Sequence, residues 1–277
     1  MLTDVKAYSS WASAPVLSLS DEGRPETDLI QVRNIDGLDP VKVAVNTTPF
    51  GAVDGGAYVG SKVPNRNIVL TLHPNPDWNN WTYESLRRLL YSYFMPKYAT
   101  KLAFYSDDIP PVEILGIVED TGINPFSKDP EMIVSVICPD PYFTAINPVV
   151  ITGQTSDGIE EITYNGNIEA GVHVRVSQSA DPAPTSIGIQ IGDPSLSYFN
   201  VAAGVTASKY FVMNSIPRNK FVQNIELGTG VVTNLLSGVQ EGSTWPILQP
   251  GTNDFSVVTN GGVQDWELIY YERFGGL

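Results

Sequence analysis

Cysteine is almost absent from this chain: Cys138 stands alone, so no internal disulfide can form and nothing asks for an oxidising compartment. Histidine is nearly as scarce, with only His73 and His173. A zinc site needs three or four ligands close together, so no metal or cofactor is expected, and both histidines read as ordinary strand residues. Lys and Arg number 16 against 30 Asp and Glu, a formal net charge of −14. The deficit is shared, since residues 1–144 hold 11 basic and 18 acidic side chains and residues 145–277 hold 5 and 12. Tight nucleic-acid binding draws its affinity largely from Lys and Arg displacing phosphate counterions, which excludes that class of function. Long apolar runs are missing too. No stretch approaches the ~20 residues of a membrane span, and Met1-Leu2-Thr3-Asp4-Val5-Lys6 lacks a signal peptide's apolar segment, so a soluble, cytosolically made protein with no membrane insertion is expected.

What is present points to strands and turns. The 277 residues include 24 Gly and 21 Pro, with 42% hydrophobic and 17% charged side chains, a length suited to two domains and a composition suited to a mainly β fold. Val41, Val43 and Val45 fall on one face of a strand, and Ile68, Leu70 and Leu72 on one face of another. Between them, residues 46–66 contain Gly51, Gly55, Gly56 and Gly60 and are too long for a tight turn. Phe50, Val53, Tyr58 and Val59 make the same stretch too apolar for a solvated loop. It reads as an extended hairpin arm lying on a neighbouring subunit, with an arm folded back on its own domain as the alternative.

One helix is expected from about Tyr83 to Ser92, with Thr82 as N-cap, Glu84 near the positive helix start and Pro96 beyond the end. Leu86, Leu89, Leu90 and Tyr93 share a face, and Trp81 and Leu86 have the spacing of a hydrophobic staple. Strands follow at Lys101–Tyr105, Val112–Glu119 and Glu131–Ile137. Composition shifts after Tyr142-Phe143, placing a domain boundary near 145 and giving domains 1–144 and 145–277. Beyond it come seven short alternating or apolar runs, at Val172–Val176, Ile187–Ile191, Phe211–Val212, Phe221–Ile225, Val231–Leu236, Phe255–Val258 and Trp266–Tyr270. Such spacing predicts an antiparallel β-sandwich.

Signs of catalysis are weak. No Gly-x-Ser-x-Gly elbow is present, and Cys138 at a strand end reads as a small buried hydrophobe. Residues 55–62 resemble a phosphate loop only superficially, because the order is Gly-Ser-Lys and a strand follows instead of a helix. The acids Asp107-Asp108, Glu119-Asp120 and Glu160-Glu161 fall at strand ends and turns, where solvated charges are the ordinary outcome; a β-sandwich hydrolase would need two carboxylates converging in a cleft. Trp78 and Trp81 have flat faces suited to sugar stacking, but the Pro-rich turn and the helix cap give them a sufficient structural role.

The order of features resembles one family. Asp54-Gly55 in the arm, Arg66 before an apolar strand, Arg87-Arg88 and Leu89-Leu90 in the helix, and then Cys138-Pro139-Asp140-Pro141-Tyr142-Phe143 look like the N-terminal domain of siphophage distal tail (Dit) proteins. Tyr164-Asn165-Gly166-Asn167 and Ser243-Thr244-Trp245-Pro246-Ile247-Leu248-Gln249-Pro250-Gly251-Thr252-Asn253 are similar to that family's C-terminal galectin-like sandwich. The resemblance implies an N-terminal split β-barrel with one helix, six copies of which form a ring under the tail tube protein, and a C-terminal antiparallel β-sandwich. It implies a structural, non-enzymatic part of the virion at the distal end of the phage tail. The implied partners are the chain itself, the tail tube protein, a tail-tip hub protein and receptor-binding protein, with DNA passing through the ring. Phe50, Val53, Asp54, Tyr58, Val59, Arg87 and Arg88 are then the expected subunit-interface residues, with a solvated helix face as the alternative for the two arginines. The competing function is a carbohydrate-binding adhesion module.

Overall fold

The computed structural model describes residues 2–9, 16–21, 29–51, 53–76, 80–123, 127, 130–178, 184–192, 198–202 and 209–277. Two compact units divide the chain: Met1–Ile146 with Phe274–Leu277, and Asn147–Arg273. Strands β1 (Leu2–Tyr8), β2 (Val16–Asp21), β3 (Ile30–Asp36), β4 (Ala44–Pro49), β5 (Gly56–Lys62) and β6 (Arg66–Pro74) precede helix α1 (Tyr83–Tyr93). After it come β7 (Ala99–Ser106), β8 (Val112–Ile123), β9 (Met132–Cys138) and β10 (Phe143–Ala145). The second unit holds β11 (Val149–Gln154), β12 (Glu160–Tyr164), β13 (Ala170–Ser177), β14 (Ile187–Ile191), β15 (Tyr198–Val201) and β16 (Lys209–Asn214). It continues with β17 (Phe221–Glu226), β18 (Val232–Asn234), β19 (Ile247–Leu248), β20 (Gly251–Thr259) and β21 (Asp265–Tyr270), before β22 (Arg273–Phe274) returns the chain to the first unit.

In unit 1 the order β2-β1-β7-β8-β9-β6-β3 makes one antiparallel sheet, with β10 pairing β8 and β22, and its end strands β2 and β3 approach each other to give a nearly closed barrel. Curvature of this kind needs breaks in the ladder, and the pairing shifts within β1, β3 and β8 supply them. The barrel forms because alternate side chains face inward: Ile68, Leu70 and Leu72 on β6 and Val134, Val136 and Cys138 on β9 are fully buried. Leu90 and Tyr93 of α1, with Phe94 just after it, belong to the same core. Helix α1 begins where its cap dictates. The Thr82 hydroxyl accepts from the Ser85 amide at 3.2 Å, filling one of the four donors a helix start leaves open. Thr82→Ala should cost about 1 kcal/mol, measurable as a lower urea midpoint with an unchanged slope.

Unit 2 is a sandwich. One sheet runs β11-β21-β13-β16-β17-β18, with β19 on β13, and the other runs β12-β20-β14-β15. Val172, Val174 and Val176 from the first and Ile187, Ile189 and Ile191 from the second meet in one core, together with the Phe255–Trp266 ring pair at 4.9 Å. Both motifs quoted from this half have structural work to do. The Tyr164 hydroxyl donates to the Ile168 carbonyl at 2.6 Å and accepts from the Arg273 amide at 2.9 Å; a Cβ at Gly166 would lie only 2.2 Å from that oxygen. Asn253, 4% exposed, closes the Pro250-Gly251 turn by accepting from the Gln249 amide and donating to the Gln249 and Gly251 carbonyls. Gly251 there has φ +95°, open to glycine at little cost.

Candidate functional site

The two strands β4 and β5 form a sheet of their own, hydrogen-bonded to no other strand among the described residues. The pairing runs Ala44 to Lys62, Val45 to Ser61 and Thr47 to Tyr58, and the Phe50 amide donates to the Gly55 carbonyl at 3.3 Å across the tip. Gly55 takes φ +98°, which the turn requires. Every residue of β4 is exposed, and all of β5 except the half-buried Gly60. The alternation of Val41, Val43 and Val45, expected to mark one buried face of a strand, marks none: Val41 and Val43 precede β4, Val41 is half-buried, and Val43 and Val45 are 45% and 58% exposed.

Exposure is the central observation at the arm. Phe50, Val53, Tyr58 and Val59 are 54%, 72%, 65% and 68% exposed, and Asp54 is exposed beside them. A lone two-stranded hairpin is only marginally stable in water, and burying one such apolar side chain stabilises by about 1.5–3 kcal/mol. An arm with both faces wet therefore gains from a partner surface. Folding back on its own domain is not what the arm does.

Helix α1 holds its two arginines differently. Arg88 donates to Glu84 at 2.9 Å, one turn away, with both side chains well exposed, a pairing worth about 0.3–0.5 kcal/mol. Arg87 is half-buried beside Tyr83, and its Nε is buried without a hydrogen bond. Neither sits on the β4–β5 hairpin, so the expected interface residues form two separate groups. Trp81 is half-buried next to the N-cap, while Trp78 lies outside the described residues.

A residue whose role the motif reading left open organises the rest of unit 1. Arg66, 2% exposed, donates from Nε to the Pro141 carbonyl at 2.6 Å and from Nη1 to the Asp39 carbonyl at 2.8 Å and the Gly37 carbonyl, while Nη2 donates to the Gly275 carbonyl. Its guanidinium also lies 4.5 Å from the Phe143 ring centre. Burial lowers its pKa, opposed by the neighbouring Cys138, Asp39 and Tyr142. One side chain thus ties together the loop after β3, the Pro141-Tyr142-Phe143 turn and the C-terminal segment. The signal was a lone basic residue entering an apolar strand, ahead of a proline-rich turn with few N–H groups.

Chemistry finds little footing. The Cys138 thiol is buried, and that burial pushes its pKa up to about 11, so at neutral pH it is a packed thiol and not a nucleophile. Because the folded value lies above the ordinary 9.0, the thiol's contribution to stability is complete below pH 9 and lost as pH rises through 11. Denaturant titrations across that window should show stability falling, with Cys138→Ala removing the thiol's share of the fall between pH 9 and 11. His173 is held below its ordinary pKa by burial, and its ring meets Phe221 edge-on at 6.3 Å. Among the described residues no three His, Cys, Asp or Glu side chains gather to hold a metal ion, and no helix is long and apolar enough to cross a membrane.

No family model and no curated protein matches the chain. Solved structures do. The Dit protein of phage SPP1, described as a paradigm of the hub adsorption apparatus of phages infecting Gram-positive hosts, matches with a TM-score of 0.70 at 16% identity, over 98% of this chain and 99% of that one. The chain has the Dit fold. A chain of the phage P2 baseplate in its activated conformation with Ca gives a TM-score of 0.51 at 8% identity, over 100% of both chains. At such identities the likeness is one of backbone, and it spans both units of the Dit fold, sandwich as well as barrel.

Proposed function

We propose that the chain is a structural protein of a phage tail, a distal tail protein whose copies join into a ring of six between the tail tube and the baseplate. The observation that carries this reading is the apolar, solvent-exposed β4–β5 arm on a Dit-fold barrel. Identical subunits arranged head to tail each present an arm to the next copy, and rotation closes the ring. Phe50, Val53, Asp54, Tyr58 and Val59 form that contact, and Arg87 faces a second partner surface. The mechanism is assembly, with no bond made or broken.

In this reading the unit 1 ring stacks under the last ring of tail tube protein, a tail-tip hub protein attaches below, and receptor-binding protein attaches at the periphery. DNA leaves through the centre. The net charge of −14 suits that passage, because like charge repels the phosphate backbone and a wall poor in Lys and Arg offers little counterion release. Made in the host cytoplasm, the protein resides in the virion at the distal end of the tail. Gold-labelled antibody against the purified chain should mark that end of intact particles. Label confined to capsids, or absent from tails opened by mild detergent, would reject the placement.

A further inference from the structure

The outer face of the larger sheet of unit 2 carries an open cleft of about 510 Å³ that neither the arm nor the ring reading uses. Its lining mixes apolar surface, Gly153 and Trp266 included, with polar side chains drawn from adjacent strands. Thr152 on β11 and Arg175 on β13 both stand directly opposite Glu267 on β21, and Gln154 stands opposite Asp265. Directly paired residues in an antiparallel ladder share a face at about 4.5–5.5 Å between Cβ atoms, so the five side chains project into one space. Tyr210 on β16 closes the cleft on the far side.

Two features of this lining point to a ligand. The Arg175 guanidinium stacks on the Tyr210 ring, 3.7 Å from its centre, which fixes its plane, and it takes no carboxylate partner among the described residues although Glu267 faces it. The Asp265 carboxylate is oriented from the other side by Gln154, whose Nε2 donates to it at 2.8 Å. The result is a pre-set guanidinium with free donors, flanked by two carboxylates with free acceptor capacity. A hydroxyl group both donates and accepts, so adjacent hydroxyls on one ring can take a hydrogen bond from Arg175 and give one to Glu267 or Asp265.

We propose that this cleft binds a neutral saccharide. An anionic polymer meets two carboxylates for one guanidinium, in a unit carrying 12 acidic and 5 basic side chains, and is repelled. An apolar peptide would cover the Arg175, Asp265 and Glu267 charges without giving them hydrogen-bond partners. The site lies wholly in unit 2, so its success or failure leaves the ring reading where it stands.

The test is titration calorimetry on the intact chain with glucose, galactose, rhamnose, N-acetylglucosamine and their β-linked disaccharides, and with glycerol phosphate oligomers as the anionic probe. At least one neutral probe should bind saturably. Arg175→Gln and Glu267→Gln should each weaken that binding at least about tenfold, the loss expected when a charged hydrogen-bonding group is removed, while Trp81→Ala in unit 1 leaves it unchanged. Circular dichroism confirms that the variants fold. Failure of every neutral probe, binding that survives both Gln variants, or binding of glycerol phosphate alone overturns the proposal.

Discussion

Phe50→Ser combined with Tyr58→Ser should break the assembly into smaller species while both units stay folded. The two rings are 54% and 65% exposed on an arm that no third strand among the described residues supports, so they add little to the stability of the isolated chain. In the proposed ring each would be buried against the next copy, where an aromatic side chain contributes about 1.5–3 kcal/mol. Loss of both from every contact removes about 3–6 kcal/mol, or about a hundredfold to ten-thousandfold in the dissociation constant. Light scattering reads the mass and circular dichroism the fold. Val232→Ser, 55% exposed on the sandwich, is the control and should leave the mass alone. An unchanged mass in the double variant removes the arm from the interface.

The second large effect falls on unit 1 itself. Arg66→Met keeps the side chain's length and apolar stem but takes away donors to four carbonyls from three separate segments. Those carbonyls then stay buried without partners, or the segments open to water, and the expected loss is about 3–5 kcal/mol. For a unit of this size that lowers the melting temperature by about 10 °C. Arg66→Lys should rescue little, because an ammonium cannot reproduce the planar fork. Truncation after Arg273 removes the Gly275 acceptor, the Phe274 core contact and the Leu277 amide bond to the Leu38 carbonyl, and should lower the same transition. Differential scanning calorimetry distinguishes the transitions: the unit 2 transition should stay in place for Arg66→Met, and a shift of both or of neither would contradict this view of the clasp.

Strong periodicity made some of this legible in advance. Ile68, Leu70 and Leu72 alternate without interruption and lie at 0% exposure, and the sandwich strands from Val172 to Tyr270 are bounded by turn residues that leave little freedom in where they end. The helix was readable because Thr82 both ends the preceding loop and caps the next element. Less visible was β1, where Val5 and Ala7 are buried and Leu2 partly so, in a strand otherwise carrying Thr, Asp, Lys and Tyr. Its place between β2 and β7 is set by long-range pairing that no local pattern encodes.

The return of Phe274–Leu277 to unit 1 was also invisible. It depends in part on the Gly275 carbonyl, which meets Arg66 across 209 residues of chain. The valine alternation shows the opposite failure: Val41 and Val43 fall ahead of β4, only Val45 lies in the strand, and the pattern wrongly implied a buried face. A face left apolar and wet is how an intermolecular contact looks from within one chain. At the cleft of unit 2, Arg175, Asp265 and Glu267 come from strands far apart in sequence, and only their cross-strand pairing reveals that they share a face.

Native mass spectrometry of the purified chain, paired with negative-stain images, bears most directly on the claim that these barrels exist to meet copies of themselves. Six chains in an annulus with an open centre is the result the account predicts. A strictly monomeric protein at high concentration, with no annular particle in any field, would contradict it.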